Sequence, residues 1–278
     1  MSIEKFGFDI VHGCQLKCIG CPMSTKNEKI KFMDLGLAKK MLANVDVRAV
    51  KIMRLFNFGE PLLHPQLPEM VELINEQPFI IRELEVSTNG QYYNEESLKK
   101  TFSIGAISQF WVSCDGDGTE KSYERLRPPA KFEKLIDFIE KVKILRDEYC
   151  PDMFLGTRTI CNTNVGKVRW KKLLLPRGWE PDFRNMSNFP ESELIKKKTI
   201  NVGKGICKFL NYEIGGRRLY VDYDGTMVPC CRHPRALVLG NLLEGKYTEI
   251  INSEPYLRAV RSLKRRMYVP ICCNCDHK

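Results

Sequence analysis

Residues 6–21 read FGFDIVHGCQLKCIGC. The run from Phe6 to His12 is rich in aromatic and β-branched residues and predicts a strand. Gly13 ends it, and Cys14, Cys18 and Cys21 follow as C-x3-C-x2-C on the next loop. Three cysteines at set offsets arise by chance in only about 2% of chains this rich in cysteine, whereas a lone C-x2-C arises in roughly half of them. The triplet therefore carries information that no single pair does. Three thiolates on one short loop can hold three irons of a cubane cluster and leave the fourth iron an open coordination position. Gly13 and Gly20 let the backbone turn tightly around the sulfurs. Zinc held by the three cysteines and His12 is the other metal chemistry open to this loop.

Outward from this stretch, β-rich and helix-like runs alternate. Strands are predicted at Ala49–Phe56, Leu84–Thr88, Gln109–Cys114, Met153–Ile160 and, more weakly, Pro181–Met186. Helices are predicted at Leu35–Asn44, Leu67–Glu76 and Phe132–Tyr149. The last has Leu135, Ile136, Phe138, Ile139 and Val142 at helical spacing. Such alternation means an α/β fold with a parallel sheet, open or curled into a barrel, whose chemistry sits where strands end and loops begin. After about residue 190 the pattern changes. Gly215-Gly216 and Asp224-Gly225 flank Leu219–Asp222 and a run ending at Cys230, which reads as a small hairpin. An amphipathic helix around Pro255–Arg266 and a cysteine-rich terminus follow.

The 278 residues suffice for one large domain or two modest ones. With 43% hydrophobic and 28% charged residues the chain is not a disordered one. No apolar run is long enough to span a membrane, and the N-terminus lacks a secretory h-region, so a cytoplasmic protein is expected. Twelve cysteines in that compartment point to metal or catalysis rather than disulfides. The net charge of +10 includes the runs Lys196-Lys197-Lys198 and Lys264-Arg265-Arg266, read as solvated faces. That charge favours an anionic or nucleotide-linked small molecule, or an acidic peptide, as substrate. No membrane or nucleic-acid partner is expected, a zinc-bound nucleic-acid module being the non-enzymatic alternative.

The cysteine triplet behind the first strand resembles the signature of the radical S-adenosylmethionine (radical SAM) enzymes, and further matches fall in the family's order. Gly59-Glu60-Pro61 after the second strand resembles the motif that holds the methionine ammonium. Thr88-Asn89-Gly90 after the third resembles the ribose-side motif. Ser113 and Asp115 resemble the serine–aspartate ending of the fourth, and Arg158 stands where relatives often place a carboxylate-binding arginine. Read alone, Glu60 could be a loop carboxylate before a proline turn, and Thr88-Asn89-Gly90 an ordinary turn. Asp115-Gly116-Asp117-Gly118 lacks the closing glutamate of a calcium loop and reads as a turn. The resemblance covers residues 6–165. It implies a partial (β/α)6 barrel of the TIM type with the cofactor at its open mouth.

Cys207, the G-x4-C of Gly225 and Cys230, and the C-x2-C of Cys272 and Cys275 resemble the twitch form of the SPASM auxiliary-cluster domain. Structural zinc would suit the same four cysteines. Either member of the doublets Cys230-Cys231 and Cys272-Cys273 could ligate; the spacing favours Cys230 and Cys272. With the chain ending at Lys278, two clusters rather than three are expected. The expected division is a barrel over 1–190 and a hairpin-plus-helix auxiliary domain over 191–278. By strand parity Cys114 and Cys161 point away from the barrel, and Cys150 lies at a helix end.

The resemblance implies S-adenosylmethionine and two 4Fe-4S clusters as cofactors, and an electron donor such as flavodoxin or ferredoxin. Reductive cleavage releases a 5′-deoxyadenosyl radical, which takes hydrogen from a substrate C–H bond. One auxiliary cluster in under 300 residues resembles the inosamine dehydrogenases of the butirosin pathway. Two-electron oxidation of a sugar- or cyclitol-like molecule is therefore expected ahead of epimerisation or peptide modification. The thirteen residues before Cys14 leave no expectation of an N-terminal leader-binding domain, and a terminal Gly-Gly like that of the molybdenum-cofactor cyclases is missing.

Overall fold

A computed structural model of the chain describes residues 1–26, 28–186, 207, 209–210, 218–232, 237–273 and 275. The expected boundary at 190/191, the run Lys196-Lys197-Lys198 and the pair Gly215-Gly216 lie outside these residues. The elements in chain order are β1 (Ser2–Phe8), β2 (Val11–His12), β3 (Lys31–Phe32), α1 (Leu35–Ala43), β4 (Ala49–Arg54), α2 (Leu67–Asn75), β5 (Ile80–Thr88) and α3 (Glu95–Ser103). Then come β6 (Gln109–Ser113), α4 (Glu120–Leu126), α5 (Phe132–Tyr149), β7 (Phe154–Ile160), α6 (Asn164–Leu174) and β8 (Glu180–Arg184). The C-terminal part holds β9 (Arg218–Val221), β10 (Thr226–Val228), β11 (Gly240–Asn241), α7 (Tyr247–Ile251), α8 (Glu254–Lys264) and α9 (Pro270–Cys273).

Nine strands form one sheet in the order β11-β10-β9-β1-β4-β5-β6-β7-β8. Every pair from β9 through β8 is parallel, while β10 runs antiparallel to both β9 and β11. The predicted hairpin is therefore not a separate layer: its first strand pairs with β1, Lys5 opposite Arg218 and Gly7 opposite Tyr220. The strand expected over Phe6–His12 is broken at Asp9, and its second half pairs with β3 instead.

Side chains alternate across the sheet. Phe6, Val86, Phe110, Val112 and Leu155 face the helices and are buried. Helix α5 meets them with Leu135, Phe138, Ile139 and Val142, a stripe at helical spacing. Phe102 of α3 packs edge-on against Phe110 at 5.4 Å. The opposite face carries Lys5, Arg54, Glu85, Trp111, Ser113 and Arg158 and is concave. Phe56, just past β4, meets Arg158 of β7 at 4.9 Å although two strands lie between them. The molecule is thus a partial barrel with helices outside and a polar inner wall. Among the described residues no helix is long and apolar enough to cross a membrane.

Candidate active site

The cysteine loop leaves β2 and is clamped from two sides. Lys17 N donates to the Pro128 carbonyl at 2.6 Å and Ile19 N to that of Leu126 at 2.8 Å; Glu60 N donates to the Gly13 carbonyl at 3.1 Å. Gly13 and Gly20 take φ of 105° and 90°, where a side chain would be strained. The Cys14 Sγ accepts from Leu16 N at 3.4 Å and from Asn89 Nδ2 at 3.3 Å. Burial, with Glu60 beside it, pushes the Cys14 thiol up to about 12, and burial also raises Cys18 and Cys21. Such thiols ionise when a cation binds them. Buried Arg127 lies near Cys18 and works against that rise. Three thiols with amide donors and a buried guanidinium beside them fit an iron–sulfur cluster. His12 turns instead to Glu28, 3.1 Å away, and stacks on Tyr223. Among the described residues no three metal-binding side chains gather around a single-ion site.

Glu60 joins the loops at the ends of β4 and β5. Its Oε1 accepts from Thr88 Oγ1 at 2.6 Å and Leu62 N at 3.1 Å, and Oε2 accepts from Asn89 N at 2.7 Å. A carboxylate offers about four acceptor positions, so one stays open for a cation. Burial holds Glu60 up at about 7 despite these donors. Gly59 is required by contact: a Cβ there would overlap the Val11 carbonyl. Asn89 exchanges side-chain hydrogen bonds with Gln15, and Gly90 turns with φ 68°. Two predicted motifs and Cys14 thus form one bonded network.

The remaining predicted contacts are differently engaged. Asp115 is buried, pairs with Arg127 and accepts from Ile160 N at 3.0 Å, so it ties the ends of β6 and β7 together. Ser113 sits opposite Arg158 in register. Arg158 is not an open guanidinium: it pairs with Glu85 and lies between the rings of Phe56 and Trp111, at 4.9 and 4.8 Å. Glu85 also accepts from Arg54 Nε at 2.8 Å. Cys114, Cys150 and Cys161 are buried.

At the other end, burial pushes Cys230 up to about 12, and the neighbouring Cys231, Cys207 and Cys272 add to it. Cys207 and Cys272 thus lie near enough to Cys230 to act on it electrostatically, and Cys275 N donates to the Cys272 carbonyl at 3.3 Å. The doublets split. Cys231 bonds the Tyr220 side chain, and Cys273 points its thiol to the Tyr268 carbonyl. Cysteines from three chain segments are thus brought to one end of the molecule, as the ligands of a cluster would have to be.

Sequence reasoning missed Asp9, Glu85 and Arg127. Asp9 accepts from Asn57 N at 2.9 Å and Phe58 N at 3.0 Å, and so holds the approach to Gly59 and Glu60. Each is a charged residue in a buried position, visible only as a polar interruption of a strand or helix end.

The family model for the radical SAM superfamily matches residues 9–157, more than half of the chain. The chain belongs to that superfamily. A second model, SPASM, an iron–sulfur cluster-binding domain, matches residues 207–276. These two domains bring S-adenosylmethionine, a 4Fe-4S cluster and an auxiliary iron–sulfur cluster to this radical SAM enzyme. A probable GTP 3′,8-cyclase of Methanococcus maripaludis is 35% identical over 144 residues, 50% of this chain and 45% of that protein. A tungsten-containing aldehyde ferredoxin oxidoreductase cofactor-modifying protein of Pyrococcus furiosus is 26% identical over 141 residues, 48% of this chain and 38% of that one. The chain thus spans less than half the length of these curated relatives. Among solved structures, BtrN in complex with AdoMet and 2-DOIA has a TM-score of 0.62 at 17% identity, covering 99% of this chain and 93% of BtrN. Native anSMEcpe with bound AdoMet has 0.66 at 16%, covering 92% and 82%. At such identities the likeness is one of fold.

Proposed function

We propose that this radical SAM enzyme is an oxidoreductase that dehydrogenates a sugar- or cyclitol-like small molecule. Cys14, Cys18 and Cys21 hold the radical cluster, and Glu60 takes the methionine ammonium with its open acceptor position. Thr88-Asn89-Gly90 borders the ribose; Gly59, Pro61, Ser113, Asp115 and Arg158 frame the remaining cofactor surface. Cys207, Cys230, Cys272 and Cys275 hold the auxiliary cluster. When bound, the cofactor supplies a 5′-deoxyadenosyl radical. A substrate that has lost a hydrogen atom must still give up one proton and one electron to become a ketone. The observation that carries the oxidative reading is the pairing of β9 with β1. The hairpin leading to Cys230 lies beside the strand leading to Cys14, so Cys207, Cys230, Cys272 and Cys275 would hold an electron-accepting cluster on the same sheet as the radical site. The likeness to BtrN supports the same reading. Reductant would come from a flavodoxin or ferredoxin.

A second reading rests on Cys231. Its thiol meets Tyr220 on the inner wall. A thiol in that place can return a hydrogen atom to a substrate radical, which makes the net reaction redox-neutral. Incubation with dithionite, S-adenosylmethionine and candidate metabolites in deuterium oxide separates the two. Dehydrogenation gives a product two hydrogens lighter that survives Cys231→Ala. Unchanged mass in water, one deuterium gained in heavy water and loss of product in Cys231→Ala would establish the second reading.

A further inference from the structure

The run Lys264-Arg265-Arg266 reads in the sequence as a solvated face, and the structure gives it a setting. Helix α8 buries Tyr256, Val260 and Leu263 on one side. Its opposite side, at helical spacing, carries Glu254, Leu257, Arg258, Arg261, Lys264 and Arg265, all exposed. Charge is uneven along that stripe. At the N-terminal end Glu254 pairs with Arg261 and, at 3.8 Å, with Arg258. The acids of the preceding segment gather at the first turn of α7. Glu249 accepts there from Lys246 N and Asp46 from Thr248 N, each at 3.0 Å, and Glu244 stands just before it. The C-terminal end of α8 lies about 15 Å further along the helix. There Lys264, Arg265 and Arg266 form no ion pair among the described residues. A helix C-terminus carries only about half a negative charge, so three cations exceed what the helix dipole calls for.

Arg266 supplies a second observation. It follows the helix with φ of 59°, the one non-glycine residue in the left-handed region among the described residues. Its amide donates to the Leu263 carbonyl at 3.0 Å and Met267 N to that of Ser262 at 2.9 Å, a helix ending that normally uses glycine. An L side chain is strained there, so the turn itself does not ask for arginine. Met267 beside it is 63% exposed. Arginine and methionine together are enriched in protein–protein interfaces. A membrane surface is disfavoured, because the apolar stripe of α8 is turned into the protein. Location names the partner. Six residues lead from Arg266 to Cys272, a reach of at most about 20 Å. In the oxidation proposed above, each product yields one electron that is received at the back-end cysteines. That electron has to pass to an oxidised one-electron carrier before the next turnover. We infer that the C-terminal end of α8, with Lys264, Arg265, Arg266 and Met267, docks an acidic one-electron carrier protein, which is reduced by that electron. This rests on the oxidoreductase reading and adds the partner that the reading requires.

The test is anaerobic titration of cluster-loaded protein with oxidised flavodoxin and, separately, oxidised ferredoxin, read by fluorescence anisotropy at low and at physiological salt. The variants are Lys264→Gln, Arg265→Gln and Arg266→Gly combined, Arg266→Gly alone, and a control with Lys171→Gln and Lys172→Gln, which removes two exposed cations from α6. Saturable binding of at least one carrier is expected in wild type, weaker at the higher salt. The combined variant should weaken it about tenfold at low salt, each rim charge being worth a factor of about two. The α6 control should bind as wild type does, and iron content should be unchanged throughout. Arg266→Gly alone should weaken docking about twofold while Tm holds or rises, because glycine takes this φ without strain. No saturable binding of either carrier, equal binding by the combined variant, or an equal loss in the α6 control would overturn the inference. So would tighter binding of wild type to duplex DNA or to phosphatidylglycerol vesicles than to the carriers. Product mass with dithionite as reductant is read separately. A product two hydrogens lighter without docking on α8 removes the docking site alone, whereas unchanged product mass removes the oxidative reading and the carrier's role with it.

Discussion

Glu60 is almost fully enclosed and receives three protein donors, which leaves one acceptor position for the ammonium proposed to bind it. Glu60→Gln should weaken S-adenosylmethionine binding about ten- to a hundredfold by calorimetry, with iron content unchanged. The carboxyl is held up at about 7 by burial, so below that pH it is protonated and must release its proton to meet a cation. Affinity should therefore fall by about tenfold per pH unit below 7, and this dependence should vanish in Glu60→Gln. Neighbouring Gly59 has no such latitude. Gly59→Ala drives a methyl into the Val11 carbonyl and should cost more than about 2 kcal/mol in denaturant unfolding. Both residues were legible in the sequence as a motif. Thr88 and Asn89 were legible as a second motif, but their bonds to Glu60, and the approach of Val11 to Gly59, were not, because these residues are distant in sequence and only the curl of the sheet brings them together.

Among the elements, β1 shows how a buried charge shapes a strand. Asp9 interrupts what reads as a continuous β run, because its carboxylate caps the amides of Asn57 and Phe58 instead of following an apolar face. Burial, with Asp222 nearby, holds its carboxyl up at about 8, against 3.8 for an ordinary aspartate. A raised acid pKa means the folded state binds the extra proton. Its contribution is complete below about 4 and is lost as pH rises toward 8. Unfolding free energy should thus decline between those limits, and Asp9→Asn should flatten the decline in guanidinium titrations at pH 5 and 8. The parallel strands and the long helix α5 were readable from periodicity. Helices α3, α4 and α6 were not, since each buries only one to three side chains and shows a narrow stripe. Arg127 was equally hidden: nothing in its spacing announces a buried partner for Asp115. Arg127→Leu strands that carboxylate, and a loss of about 3–5 kcal/mol is expected in the same unfolding assay.

For the whole molecule, the decisive feature is that front and back share one sheet. From sequence alone the back end reads as a small separate unit, because pairing between β1 and β9 joins residues more than 200 apart and leaves no local pattern. Cys272→Ala should therefore lose the auxiliary cluster and product formation while reductive cleavage of S-adenosylmethionine continues. That split would show the two metal regions coupled through substrate rather than through folding alone. The most direct measurement is an iron and 5′-deoxyadenosine assay on anaerobically reconstituted protein, run for wild type and for the combined Cys14→Ala, Cys18→Ala and Cys21→Ala variant. Wild type should hold about eight irons per chain and release 5′-deoxyadenosine on reduction, and the variant about four irons and no nucleoside. Zinc in place of iron, or nucleoside release that survives the triple replacement, would contradict the account.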